Sequence, residues 1–333
     1  MKSEKAPGRL GSEAGFPSRH QKHRVLVTGA SGFIGSPLCR LLLADGHRIW
    51  AMNRSESSAN IYPDGLDGIT YQSVGDQLPS ELLAWGPETV VNLAWSGIPD
   101  YGYECSTANL QEQIRLFEQV VAIDSVERVV GAGTCLEYGA HGGLCDEKET
   151  VEPTSFLAWS KQSLRNYLLL ATGPSQIDVV WFRIFYAYGP GQRREGLLPS
   201  MLLEAASGRQ FPLLNPDGAK DFVYIDDVVE AFRRAVNPDS PPGTFNVGSG
   251  FLVPLRDVWD AVVRSVEGRT DEAAILAPVS VEASESEIYA SLERVSESFG
   301  WHPRVPLEEG IRRTWLAMND AGSQLHDEDC SDE

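Results

Sequence analysis

Near the start of the chain, Gly29-Ala30-Ser31-Gly32-Phe33-Ile34-Gly35 follows the apolar run Val25-Leu26-Val27-Thr28 and leads into a segment with Leu38, Leu41 and Leu42 at helical spacing. Glycines between a strand and a helix let the backbone turn tightly and approach a pyrophosphate, whose charge then rests at the positive end of the helix. A glycine pattern alone is weak evidence. This one has a strand before it, a helix after it and a second apolar run at 48–52, so it reads as a dinucleotide-binding loop. Pro37 falls within the opening turns of the helix, where proline is tolerated. The tip of the second strand discriminates between nicotinamide cofactors, because an acidic side chain there accepts hydrogen bonds from the adenosine ribose of NAD. Here the chain reads Ala51-Met52-Asn53-Arg54-Ser55. With no carboxylate present and Arg54 able to pair with a 2′-phosphate, NADP(H) is expected, with NAD as the alternative. The plain reading of Arg54 is a side chain pointing into water. After a third run, Asp76 could accept from the adenine amine or simply close a turn.

These residues need elements to hold them. Short apolar runs at 25–28, 48–51, 69–74, 89–93, 128–131 and 179–185 alternate with helical patterns at 36–45, 107–122 and 155–171. That rhythm predicts an α/β domain over 25–182, a doubly wound parallel sheet with crossover helices. Beyond Tyr188 the chain turns to Gly/Pro-rich loops, a helix near 197–207, the run 221–225 leading into 226–236, and helices near 255–266 and 307–317. We expect a smaller substrate-binding part over 183–320, with a segment near 244–250 returning to the main sheet. The 333 residues allow such a pair of domains at roughly 150 residues each. Lys+Arg number 28 against 47 Asp+Glu, and the net charge of −19 repels phosphate backbones and anionic lipids, so neither nucleic acid nor a membrane is an expected partner. No apolar run approaches the ~18 residues of a membrane helix. Cys39, Cys105, Cys135, Cys145 and Cys330 lie far apart without a C-x-x-C pair, which points to no disulfide framework, no metal site and a reducing cytoplasm. Residues 1–24 are basic and lack the apolar core of a secretion signal, so they read as a disordered extension; 321–333 read as a solvated acidic tail.

With those elements in place, the sequence resembles the extended short-chain dehydrogenase/reductase family of nucleotide-sugar epimerases, dehydratases and ketoreductases. The likeness covers about 25–318. It rests on the loop at 29–35, Asn92-Leu93-Ala94, Asn109, Gly133-Thr134-Cys135-Leu136-Glu137-Tyr138-Gly139, Ser160-Lys161, Arg183-Ile184-Phe185-Tyr186-Ala187-Tyr188-Gly189-Pro190-Gly191, Lys220-Asp221-Phe222-Val223-Tyr224-Ile225-Asp226-Asp227, Phe245-Asn246-Val247-Gly248 and Phe299-Gly300-Trp301-His302-Pro303. The resemblance implies a Rossmann-type fold, a cofactor site including Leu93, Ala94 and Lys161, a nucleotide-sugar substrate, and a homodimer formed through the helices at 107–122 and 155–171.

In that family a Ser or Thr, a Tyr and a Lys share the chemistry, with Tyr and Lys spaced Y-x-x-x-K. The lysine and the cofactor ribose lower the phenol's pKa for proton transfer during hydride transfer. Thr134 matches the hydroxyl and Lys161 the lysine, but Leu157 stands where the tyrosine is expected. Three readings follow. Another acid fills the gap, from Tyr101, Tyr103, Cys135 or Tyr186; or the bound nicotinamide serves a different reaction; or the chain is a silent cofactor-binding partner. Dehydratases of the family carry Asp-Glu directly after the Thr, where this chain has Cys135 and Leu136. The reading is therefore a 4-ketoreductase of a nucleotide-linked 4-keto-deoxysugar, with an epimerase as alternative. On the substrate side, Lys220 matches a basic residue that holds the diphosphate, offering a point charge instead of a fork. Arg193 and Arg194 reach phosphate or lie on the surface, Tyr186 replaces a usual Asn, and Leu198 lines the nucleotide end or packs in the core. Asp226 and Asp227 are expected to cap the helix that follows. His141 lies on the loop between Thr134 and Lys161.

Overall fold

Strands sandwiched between two helical layers must be apolar on both faces, which is why the first run reads Val-Leu-Val without polar alternation. In the computed structural model, which describes residues 22–55, 64–269 and 287–328, this run is β1 (Arg24–Thr28). Alternate side chains serve opposite layers: Val25 and Val27 join one core cluster and Leu26 the other. The chain continues through α1 (Gly35–Ala44), β2 (Arg48–Asn53), β3 (Gly68–Tyr71), α2 (Ser80–Trp85), β4 (Thr89–Asn92), α3 (Tyr103–Val120) and β5 (Arg128–Ala132). A 3-10 turn at Cys135–Tyr138 precedes β6 (Gly143–Cys145), α4 (Phe156–Thr172), β7 (Asp178–Ile184), β8 (Tyr186–Tyr188) and α5 (Leu197–Ala206). Then come β9 (Ala219–Lys220), β10 (Phe222–Tyr224), α6 (Ile225–Ala235), β11 (Gly243–Val247), β12 (Val253–Pro254), α7 (Leu255–Val266), β13 (Ile288–Ala290), α8 (Glu293–Phe299) and α9 (Leu307–Glu328).

The central sheet has seven parallel strands in the order β11-β7-β5-β4-β1-β2-β3. This is the doubly wound Rossmann-type sheet. Strand order reverses between β1 and β4, and in such sheets the crevice at the carboxyl ends of the strands at that point takes the ligand. The smaller pieces assemble beside it. Strand β8 pairs in parallel with β10, setting Tyr186 opposite Phe222, and β6 pairs with β13. Buried Asp221 holds this corner, accepting from Ser249 N at 2.5 Å, Ala290 N at 2.9 Å and Gly250 N at 3.1 Å.

Three local expectations differ from what is seen. The third run is a strand only through Tyr71; Asp76 N then bonds to Ser73 O at 3.1 Å and closes a turn. Asp226 and Asp227 do not cap α6, whose N-cap is Tyr224 without a side-chain bond. Asp227 instead accepts from Arg304 N at 3.0 Å and Val305 N at 3.1 Å, pinning the segment before α9, while Asp226 faces Arg313 at 3.7 Å. Helix α9 runs on to Glu328, into the stretch read as a tail; 329–333 lie outside the described residues, as do 1–21 of the N-terminal extension. Among the described residues no helix is long and apolar enough to cross a membrane.

Candidate active site

The loop after β1 is shaped by what glycine lacks. Gly29 has φ +66°, and a Cβ there would sit 2.9 Å from both Ala94 N and Leu93 C. A Cβ on Gly35 would collide with Gly29 O, and Gly32 N donates to that same oxygen at 2.9 Å. Helix α1 then starts with no acidic residue in its first turn and no side-chain cap, so its positive end is left for an anion. These features fit a dinucleotide pyrophosphate. Phe33 and Ile34 are half-buried against the core.

At the tip of β2, the Asn53 carboxamide is committed to the loop: Ser31 N and Ser31 Oγ both donate to Asn53 Oδ1 at 3.0 Å, while its buried Nδ2 has no partner among the described residues. Asn53 thus shapes the turn, a different task from receiving a ribose hydroxyl. Arg54 and Ser55 are exposed. Exposed Asp76 accepts from Ser73 N at 3.1 Å through one oxygen.

The neighbouring strand ends are tied together, with Thr28 Oγ1 donating to Asn92 Oδ1 at 2.7 Å and accepting from Ala94 N at 3.2 Å. Beyond β5, Thr134 opens the 3-10 turn through a reciprocal capping box: Leu136 N donates to Thr134 Oγ1 at 3.3 Å and Thr134 N to Glu137 Oε1 at 2.9 Å. The Thr134 hydroxyl proton takes no part in that box. Fully buried Glu137 also receives Trp181 Nε1 at 3.1 Å and Arg183 Nε at 3.0 Å. Gly133 is obligatory beneath it, since a Cβ would strike Trp181 Nε1 and Glu137 Oε1.

Helix α4 starts at the N-cap Ser155, whose hydroxyl accepts from Ala158 N at 3.3 Å. Its inner face brings Lys161 to the end of β5, where Nζ donates to Ala132 O at 2.6 Å and lies 4.5 Å from the centre of the Trp95 ring. Burial lowers the ammonium to about 8, opposed by the charge of Glu137. One turn earlier Leu157 is buried at 4% exposure.

The four alternative acids divide. Cys135 is buried, and desolvation with Asp221 and Cys145 nearby pushes its thiol far up. Tyr186 is half-buried, and burial with Cys135 and Tyr101 nearby pushes its phenol far up. Tyr103 opens α3, exposed, its ring edge-on to Phe156 at 5.3 Å, and Tyr101 is also exposed. His141 folds onto its own loop, with Nε2 3.0 Å from Leu144 O.

On the substrate side, Lys220 Nζ lies 5.1 Å from the Tyr186 ring centre, because the β8–β10 pairing sets those segments side by side. Arg193 and Arg194 are exposed. Leu198, at 1% exposure, is packed in the main core with Met201 and Leu202 and offers no surface to a nucleotide, so the core reading holds. Sequence reasoning missed Glu137, Arg183 and Trp95 as parts of this centre. The Thr134-x-x-Glu137 spacing was the readable signal for the first; Trp95 had none.

The parallel sheet, the glycine cradle at its switch point and the lysine beside it define a dinucleotide-dependent α/β scaffold. A model of the NAD dependent epimerase/dehydratase family matches residues 25–248, and the chain belongs to that family. It is an NAD(P)-dependent oxidoreductase or epimerase of the extended short-chain dehydrogenase/reductase type. Among curated relatives, UDP-glucose 4-epimerase of Mycolicibacterium smegmatis is 29% identical over 309 residues, covering 87% of this chain and 97% of that one. The dTDP-6-deoxy-L-talose 4-dehydrogenase (NAD(P)(+)) of Kitasatospora kifunensis is 28% identical over 315 residues, covering 90% and 96%. Among solved structures, UDP-glucuronic acid 4-epimerase of Bacillus cereus in complex with UDP-glucuronic acid and NAD superimposes with a TM-score of 0.77 at 20% identity, covering 90% of this chain and 99% of that one.

Proposed function

We propose that the protein is an NADP(H)-dependent 4-ketoreductase of a nucleotide-linked 4-keto-deoxyhexose. The observation that carries this reading is the pair after Thr134. Cys135 is buried with its thiol pushed far up and Leu136 has no proton to give, so the site offers a hydroxyl and an ammonium to a carbonyl but no acid–base pair to expel water from a sugar. A bound dihydronicotinamide supplies the hydride.

In this reading residues 25–182 hold the cofactor and 183–320 the sugar nucleotide. The loop at 29–35 receives the pyrophosphate, Arg54 the 2′-phosphate, Asp76 the adenine amine and Lys161 the nicotinamide ribose. Thr134 Oγ1 donates to the keto oxygen. Lys220, stacked on Tyr186, faces the sugar-nucleotide diphosphate, with exposed Arg193 and Arg194 beside it. Exposed Phe156, Trp159 and Leu170 on α4, with Tyr103 on α3, supply an apolar face for a homodimer.

The likeness to UDP-glucose 4-epimerase favours a second reading, a 4-epimerase that regenerates its cofactor each turnover. One experiment separates them. Purified protein with NADPH and dTDP-4-dehydro-6-deoxyglucose is expected to consume one NADPH per sugar reduced. Interconversion of UDP-glucose and UDP-galactose without net loss of NADPH would overturn the reductase reading in favour of the epimerase.

A further inference from the structure

We infer that Lys161 itself delivers the proton to the substrate's carbonyl oxygen, so that the acid of this site is an ammonium held against Trp95 and Ala132. The inference rests on the ketoreductase reading. Positions 157 and 161 lie one helical turn apart on the same face of α4, and Leu157, buried there, has no proton to donate. Of the ionisable groups that follow on this face, Arg165, one turn further on, donates to Thr244 Oγ1 at 2.7 Å and as a guanidinium gives up no proton, which leaves Lys161.

Three of the four other candidates, Tyr103, Cys135 and Tyr186, are placed or poised wrongly. Phe156, against which Tyr103 packs, is on a different face of α4 from Leu157 and Lys161, about 100° around the helix per residue. Cys135 and Tyr186 are both held far on the protonated side by burial. Lys161 differs in geometry and in poise. Of its three N–H donors one is spent on Ala132 O at 2.6 Å and the Trp95 face at 4.5 Å shields another side, so a single N–H remains, and in this inference it serves the keto oxygen in place of the nicotinamide ribose. A general acid works best with a pKa near the operating pH, and burial brings this amine to about 8. Among the described residues the charge acting on it is Glu137, which opposes the shift and is itself shared with Arg183 at 3.0 Å.

The step balances. The N–H bond of Lys161 breaks as the O–H bond forms on the substrate. The hydride, with its electron pair, would reach the carbonyl carbon from a dihydronicotinamide held by the loop at 29–35, which would supply both electrons of the reduction. The C=O becomes an alcohol, and the neutral amine, still donating to Ala132 O, regains a proton from water.

Two measurements test this. In protein carrying 13C-labelled lysine, the NMR signal lost in Lys161→Arg is expected to titrate near 8 in the wild-type chain, a readout that needs neither sugar nor turnover. In NADPH oxidation with dTDP-4-dehydro-6-deoxyglucose, the wild-type rate is expected to fall as pH rises through the same value. Lys161→Arg, which keeps the charge and gives up no proton, is expected to lose ~100-fold or more in kcat. Leu157→Tyr added to Lys161→Arg is expected to recover at least ~10-fold and to abolish the fall near pH 8. A lysine signal titrating in the ordinary range near ~10.4 overturns the proposal even where sugar is reduced. So does Lys161→Arg that retains wild-type kcat. Absence of NADPH oxidation by the wild-type chain overturns the ketoreductase reading instead, and the titration tells the two failures apart.

Discussion

The crossover after β1 and the first turns of α4 stand at the carboxyl ends of β1 and β5, with β4 between them, yet one is built from backbone and the other from side chains. At the crossover, Gly29 and Gly35 are defined by the space a Cβ would claim. Along α4, Leu157 sits buried where the family's tyrosine is expected, and the helix keeps its N-cap and its packing. A site made by excluding atoms has no tolerated substitute, whereas a proton-carrying side chain can be exchanged for an apolar one without cost to the fold. The largest effect should come from breaking the first and repacking the second in parallel. Gly35→Val is expected to weaken NADPH binding by ~100-fold or more in calorimetry and to lower stability in urea, because Gly29 O cannot move away without breaking its bond from Gly32 N at 2.9 Å. Leu157→Met should cost under ~1.5 kcal/mol and leave NADPH binding unchanged. Equal responses of the two variants would remove the distinction.

The same contrast explains what could be read in advance. The cradle was legible because strand, glycine spacing and following helix are contiguous, and each imposes a local steric condition. The alternation of strands and crossover helices was legible from periodicity, and the place of Lys161 on a helix from the motif, whereas the order of the strands in the sheet was not. Asn53 was not: its carboxamide reaches back 22 residues to Ser31, a contact made by the pairing of β2 with β1 and invisible at the strand tip. Glu137 shows both sides. Its bond to Thr134 N is a three-residue spacing that sequence carries, while its bonds to Trp181 and Arg183 span 44 and 46 residues and exist only once β7 lies beside β5. Trp95 meets Lys161 through the tertiary approach of α4 to the end of β4, for which no local pattern exists.

Glu137 supplies the next test, since it supports the side-chain half of the comparison from beneath. Arg183 is 3% exposed and its Nη1 has no hydrogen-bond partner among the described residues, so the guanidinium depends on Glu137 for its counter-charge. Glu137→Ala is expected to cost about 3–5 kcal/mol in urea denaturation, the range for stripping one partner from a buried ion pair. It should also free Thr134 N and Trp181 Nε1 of their acceptor. A loss below ~1 kcal/mol would mean that the turn bearing Thr134 is held by something other than this carboxylate.

The smallest expected effect sharpens the backbone half, because it concerns the one place where that half relies on a side chain. At the tip of β2, Asn53 is committed to Ser31 while Arg54 is exposed. A cation reading a 2′-phosphate across solvent is screened, so the low end of a charge-assisted bond applies, about 1.4 kcal/mol or tenfold in Kd. Arg54→Ala is therefore expected to weaken NADPH about tenfold and leave NADH unchanged in paired titrations, with the difference shrinking as salt rises. Were both cofactors weakened alike, Arg54 would be acting on the shared pyrophosphate or on the loop. The tip of β2 would then be indifferent to the 2′ position, since the Asn53 oxygen that could have favoured a free hydroxyl already receives Ser31 N and Oγ.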